Sequence, residues 1–130
     1  MLHHLTLWVP DLERAAPSWR WLLGKLGYLI DRDFETMLLF RHQGGFALVL
    51  EQSADMVPGM LYSRMRPGLN HVAFSLTSAA LLERIVEEAA DHGWTAFPGD
   101  RHPIVGGANV AYLEDRDGFE VELVAPLTPL

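Results

Sequence analysis

Two stretches of this chain match where chance would leave them different. "LHHLTLWV" occupies residues 2–9 and "LNHVAFSL" occupies residues 69–76. Both read Leu-x-His-apolar-x-apolar-x-apolar, and they place His4 and His71 at the same point of the pattern. Alternation of apolar and other residues is the mark of a strand with two unlike faces. A strand written twice, half a chain apart, predicts two copies of one supersecondary unit.

The segments after the two strands repeat as well. Residues 10–27, "PDLERAAPSWRWLLGKLG", have helical spacing, with Asp11 as N-cap and Gly24 or Gly27 as the stop. Leu12, Ala15, Trp19, Leu22, Leu23 and Leu26 make the expected buried stripe. Pro17 lies deep enough to kink the first turns or delay the helix start. Strands are expected at 28–31, 37–41 and 46–51, with "HQGG" at 42–45 turning the chain between the last two. The first module, about residues 1–52, therefore reads β-α-β-β-β. A connector with two prolines and two glycines covers 53–68.

The second module, about 69–126, restarts the order. Val72, Phe74 and Leu76 give the strand its core face. "TSAALLERIVEEAADHG" gives a helix capped by Thr77 or Ser78 and ended by Gly93, with Leu81, Leu82, Ile85, Val86 and Ala89 as its apolar side. Strands near 94–97, 109–114 and 119–124 complete it, and residues 98–107 form a loop rich in turn formers. The modules also close alike, on "GGFALVLEQ" from Gly44 and "DGFEVELVA" from Asp117. Modules of about 60 residues bury too little to stand alone, so a single domain over residues 1–130 is expected. The fold class is α+β.

Composition narrows the functional classes. With 49% apolar residues the chain has the material for a core. A formal charge of −7 with no basic stripe opposes a nucleic-acid partner. No apolar run approaches the roughly 20 residues that span a bilayer. Without a secretory pattern at the N-terminus, a soluble cytoplasmic protein is expected. The absence of cysteine removes disulfides and thiolate metal sites.

The chemistry is expected on the face opposite the apolar side of the strands. His4 and His71 lie there, and so do Glu120 and Glu122 of the last strand. If helices cover one side of the sheet and the sheet curves, those residues line a cleft. Two neutral imidazoles and a carboxylate suit a first-row divalent ion, Fe(II) or Mn(II) with Zn(II) or Ni(II) tolerated, and leave positions open for water or substrate. Taken singly, each residue has an ordinary reading as a half-exposed strand residue; the joint pattern carries the metal reading. His3 is expected to face the core or an edge as a structural residue. His42 and His92, in a turn and at a helix end, need no special role. Arg101 and His102 either belong to a simple turn or overhang the cleft to meet substrate. Thr6 and Trp8 share the His4 face as candidate cleft residues, and Trp8 equally suits a dimer interface. Tyr62, Arg64 and Arg66 of the connector are candidates for an anionic substrate.

The strand "LHHLTLWVPDLE", the helix end "WLLG", the strand "LNHVAFSL" and the closing "EDRDGFEVELVAP" together resemble the vicinal oxygen chelate superfamily, which includes glyoxalase I, extradiol dioxygenases, fosfomycin-resistance proteins and bleomycin-resistance proteins. Arg116 stands where the usual closing motif has proline. The resemblance implies tandem βαβββ modules forming a cupped mixed sheet with helices on the outer face. It implies metal positions at His4, His71 and Glu122, and a homodimer. Its fourth metal position falls on Val49, which cannot bind metal or move a proton. The His-His-Glu set that remains resembles members with three ligands. Glu51, two residues on, is a candidate general base toward substrate, or simply a strand end in solvent. The resemblance implies a metal-dependent lyase, isomerase or dioxygenase acting on a small substrate through adjacent oxygens. The alternative is a metal-free binding protein of the bleomycin-resistance type.

Overall fold

The computed structural model describes residues 1–98 and 108–127. The chain divides into two compact units, Met1–Tyr62 and Ser63–Leu130, so the expected connector falls across the division.

The first unit is built as β1 (His4–Trp8), α1 (Leu12–Lys25), β2 (Tyr28–Phe34), β3 (Met37–His42) and β4 (Ala47–Glu51). Its sheet has the order β1-β4-β3-β2, with β1 parallel to β4 and the other pairs antiparallel. The second unit repeats this with β5 (His71–Ser75), α2 (Ala79–Glu88), a 3-10 turn (Ala89–His92), β6 (Thr95–Pro98), β7 (Ala108–Glu114) and β8 (Glu120–Pro126). Its order is β5-β8-β7-β6, again with the first pair parallel. These are the two expected βαβββ modules, each with its own four-stranded mixed sheet.

Cross-strand registers show how alternation sorts the residues. In the first unit Leu5, Leu48 and Phe40 form one row and Leu7, Leu50 and Leu38 the next. Five of these six are buried, Leu5 alone being half-buried, and α1 lies against β2 and β4. The second unit has the matching rows Val72–Val121–Leu113 and Phe74–Leu123–Ala111, with α2 against β7 and β8. Trp19 and Ile85, both buried, anchor the two helices. Such burial, at about 1.5–3 kcal/mol per large apolar side chain, holds the helices where propensity alone would not.

Helix α1 starts at Leu12, without the delay that Pro17 suggested. Asp11 Oδ1 accepts from the Arg14 amide at 3.1 Å, and this cap fixes the first turn. Pro17 lies in the second turn, where it removes one helical hydrogen bond. The buried Trp19, Leu22 and Leu23 beyond it hold the helix on its course. Gly24 does not stop the helix, which runs on to Lys25. Ser78 rather than Thr77 caps α2, and Gly93, at φ 84°, takes the left-handed conformation that ends the segment.

The turns before β4 and β8 share one construction. Asp115 Oδ1 accepts from the amides of Asp117 and Phe119, both at 2.9 Å. Arg116 sits exposed in this turn, which closes without the expected proline because the Asp115 side chain organises it. In the first unit His42 takes the corresponding place: its Nδ1 accepts from the Gly44 amide at 3.0 Å. His42, expected to have no special role, is the acceptor around which that turn forms.

Candidate metal site

The opposite sheet face carries the polar rows. In the second unit one row is His71–Glu120–Glu114 and the next is Ala73–Glu122–Tyr112. In the first unit the corresponding rows are His4–Ala47–Arg41 and Thr6–Val49–Leu39. The histidines hold equivalent places. Ala47 and Val49 stand where the second unit has Glu120 and Glu122, so the strand register agrees with the sequence comparison that put Val49 at the fourth metal position.

Within the second unit, β5 and β8 bring His71 and Glu122 together, with Nε2 and Oε2 3.2 Å apart. Glu122 is buried, and Tyr112 donates its hydroxyl to Oε1 at 2.9 Å. The Tyr112 ring stands edge-on to the His71 imidazole, with centroids 6.2 Å apart and planes at 82°. On its other side, His71 Nδ1 lies 2.8 Å from Asn70 Oδ1. The Asn70 amide is itself oriented, since its Nδ2 donates to the Arg64 carbonyl at 3.0 Å. A carbonyl only accepts, so the atom facing it is the amide nitrogen and the atom facing His71 is the amide oxygen. Nδ1 of His71 therefore carries the proton, and in the neutral ring Nε2 presents its lone pair to Glu122.

Two acceptors 3.2 Å apart repel unless a positive charge lies between them. A proton on Nε2 is one solution and a metal ion is the other. Metal–nitrogen and metal–oxygen bonds of about 2.0–2.2 Å put adjacent ligands about 3 Å apart. The His71–Glu122 spacing fits two ligands of one ion. Among the described residues, no cluster of three or more His, Cys, Asp or Glu that could hold a metal ion forms within either unit.

In the first unit His4 is exposed at the start of β1, and its Nδ1 lies 2.9 Å from Nδ1 of His3. His3, expected to face the core or an edge, is exposed because it precedes the first strand residue. Thr6 is exposed on the His4 face. Trp8 pairs across the strands with Glu51, and its indole donates to Glu51 Oε1 at 2.8 Å. Glu51 ends β4, is half-buried and is held by that bond.

Arg64 departs from the expected contact with an anionic substrate. Its guanidinium pairs with Glu114, and Nε lies 3.8 Å from Glu120 Oε2. Two carboxylates of its own unit already hold this cation. Arg66 is exposed and Tyr62 half-buried. Arg101 and His102 lie outside the described residues. Sequence reading missed Tyr112 and Asn70. Tyr112 had a signal, being the one aromatic hydroxyl on a strand expected to pair with the strand of Glu122. Asn70 had only its place beside His71.

Comparisons with known proteins agree with this architecture. A family model described as the Glyoxalase/Bleomycin resistance protein/Dioxygenase superfamily matches residues 3–112. The uncharacterized protein YqjT of Bacillus subtilis strain 168 is 35% identical over 127 residues, covering 96% of this chain and 98% of that protein. A crystal structure of a candidate glyoxalase from Bacillus halodurans is 34% identical, with a TM-score of 0.84 over 97% of this chain and 96% of that one. At 21% identity the fold alone is shared with the fosfomycin resistance protein FosX of Listeria monocytogenes, seen as a mutant complexed with Mn(II) and 1S,2S-dihydroxypropylphosphonic acid. That match has a TM-score of 0.65 and covers 95% of this chain and 88% of that one. The chain belongs to the glyoxalase/bleomycin resistance protein/dioxygenase superfamily, the vicinal oxygen chelate group.

Proposed function

We propose that this protein is a metal-dependent enzyme in which His4, His71 and Glu122 hold one divalent ion, Fe, Mn, Zn or Ni. The observation that carries the reading is the His71–Glu122 pair, with Nε2 and Oε2 3.2 Å apart and the carboxylate buried. The Mn(II) in the FosX structure supports it by analogy of fold. The substrate is a small molecule with two adjacent oxygens, and the reaction is of the lyase, isomerase or dioxygenase type. The ion, when bound, supplies Lewis-acid stabilisation of negative charge on those oxygens.

The chain's own groups do the rest. Tyr112 takes one oxygen of Glu122 and leaves the other directed at His71. Glu51, steadied by Trp8, is the candidate base that accepts a proton from substrate. Thr6 and the half-exposed Trp8 ring offer a polar and an apolar contact to the same substrate. The protein works as a cytoplasmic homodimer in this reading.

A second reading rests on Ala47 and Val49, which leave the first unit without carboxylates at the two places where the second unit has Glu120 and Glu122. A metal-free binder of small molecules would need none. Elemental analysis of protein purified without added metal, before and after a chelator wash, separates the two. The metal reading expects stoichiometric ion that the wash removes and that His71→Ala lacks while remaining folded. Protein with no ion that takes up none on titration fails it, as does full stoichiometry in His71→Ala.

A further inference from the structure

The strand histidines are not alone in being repeated. The residue before each of them, His3 before His4 and Asn70 before His71, lies against the Nδ1 atom of its neighbour, at 2.9 Å and 2.8 Å. The two contacts use different chemistry, an imidazole nitrogen in one unit and an amide oxygen in the other. Both can accept a hydrogen bond from Nδ1–H. A neutral imidazole has one proton for two nitrogens, so a partner that accepts at Nδ1 makes Nε2 the lone-pair atom. We propose that His3 and Asn70 are positioning residues that fix His4 and His71 in the Nδ1–H form, so that each ring offers Nε2 as a donor atom.

The inference rests on the metal reading for its use, not for its geometry. Asn70 is the better defined of the two. Its amide cannot flip without losing the bond to the Arg64 carbonyl and setting Nδ2 against that ring proton. Arg64 is in turn held through its guanidinium by Glu114 and Glu120. The orientation thus runs from two carboxylates through Arg64 and Asn70 to the imidazole. In the first unit the two rings stand at 82° with their Nδ1 atoms 2.9 Å apart, a distance that suits one nitrogen donating to the other. Equivalence with Asn70 assigns the donor to His4 and the acceptor to His3. A partner that orients a metal-binding histidine is commonly worth about 10–100-fold in metal affinity.

The tautomers can be read without metal. Long-range proton–nitrogen correlation spectra of the metal-free protein, at a pH where the ring signals no longer change, distinguish Nδ1–H from Nε2–H rings directly. Variants His4→Gln and His71→Gln assign the signals. The expected result is Nδ1–H for both His4 and His71, and a shift of His71 toward the Nε2–H form in Asn70→Ala but not in Asn70→Asp, which keeps an acceptor. Manganese titration of the same variants should show affinity lowered about 10–100-fold by Asn70→Ala and largely kept by Asn70→Asp. An Nε2–H ring at His71 in the wild-type protein overturns the proposal, and so does an Asn70→Ala protein with an unchanged tautomer. If no variant binds metal while the spectra come out as expected, the metal reading has failed and the tautomer assignment stands.

Discussion

Replacing Glu122 by glutamine separates the fold from the chemistry with a change of one atom. The glutamine oxygen can still accept from the Tyr112 hydroxyl, now 2.9 Å from Glu122 Oε1. Its amide nitrogen would face His71 Nε2, where the carboxylate oxygen now sits at 3.2 Å, and would donate to the ring lone pair. One hydrogen bond is kept and a new neutral one is formed, each with a net worth of about 1 kcal/mol. The metal-free variant should therefore unfold in urea within about 1 kcal/mol of the wild type, at a pH where His71 is neutral. Metal binding should suffer far more. Structural zinc sites bind with about 10–16 kcal/mol, or about 3 kcal/mol for each of four ligands. At about 1.4 kcal/mol per factor of ten, losing the anionic ligand weakens binding about a hundredfold. Calorimetric titration with Mn(II) and Zn(II) measures this. Wild-type affinity in Glu122→Gln would remove Glu122 from the site. A metal-free variant destabilised by about 3 kcal/mol or more would mean that the carboxylate balances a charged imidazole, and the lone-pair argument would fall.

Two further expectations concern the scaffold. Asp115→Ala takes the acceptor from the buried amide of Phe119 and from that of Asp117, and should cost about 2–4 kcal/mol in urea unfolding; a cost near zero would show that the turn does not need the side chain. Burial raises the Tyr28 phenol above its ordinary value of 10.0, so the folded state holds that proton more tightly than the unfolded chain. Its contribution is complete below pH about 10 and is lost as pH rises through the raised value. The unfolding midpoint should fall in that alkaline window, and less so in Tyr28→Phe; equal falls would contradict the assignment.

The parts of this molecule that obey a period were legible in its sequence. Both modules, their helix caps and the sheet face of each strand come from alternation and helical spacing, because burial of one face enforces them. Strand β2 shows the limit. It was expected to end near Asp31 but reaches Phe34, through residues exposed on both faces. Hydrogen bonds to β3 hold it there, and no hydrophobic pattern marks such an edge. The site divides the same way. The repeat singled out His4 and His71 as candidates, and the pairing of His71 with Glu122 reflects β5 and β8 lying side by side. Asn70 and the engagement of Arg64 were hidden. They depend on contacts between strands and connector that neither period nor composition records.

The matching registers of the two sheets carry a practical consequence. Ala47 and Val49 occupy seats that are, strand for strand, those of Glu120 and Glu122. A designer can write acidic side chains into those seats and read their effect against a built-in reference, the sister module with the same backbone pairing. The molecule is its own control for asking how much reactivity belongs to a scaffold and how much to the few letters placed on it.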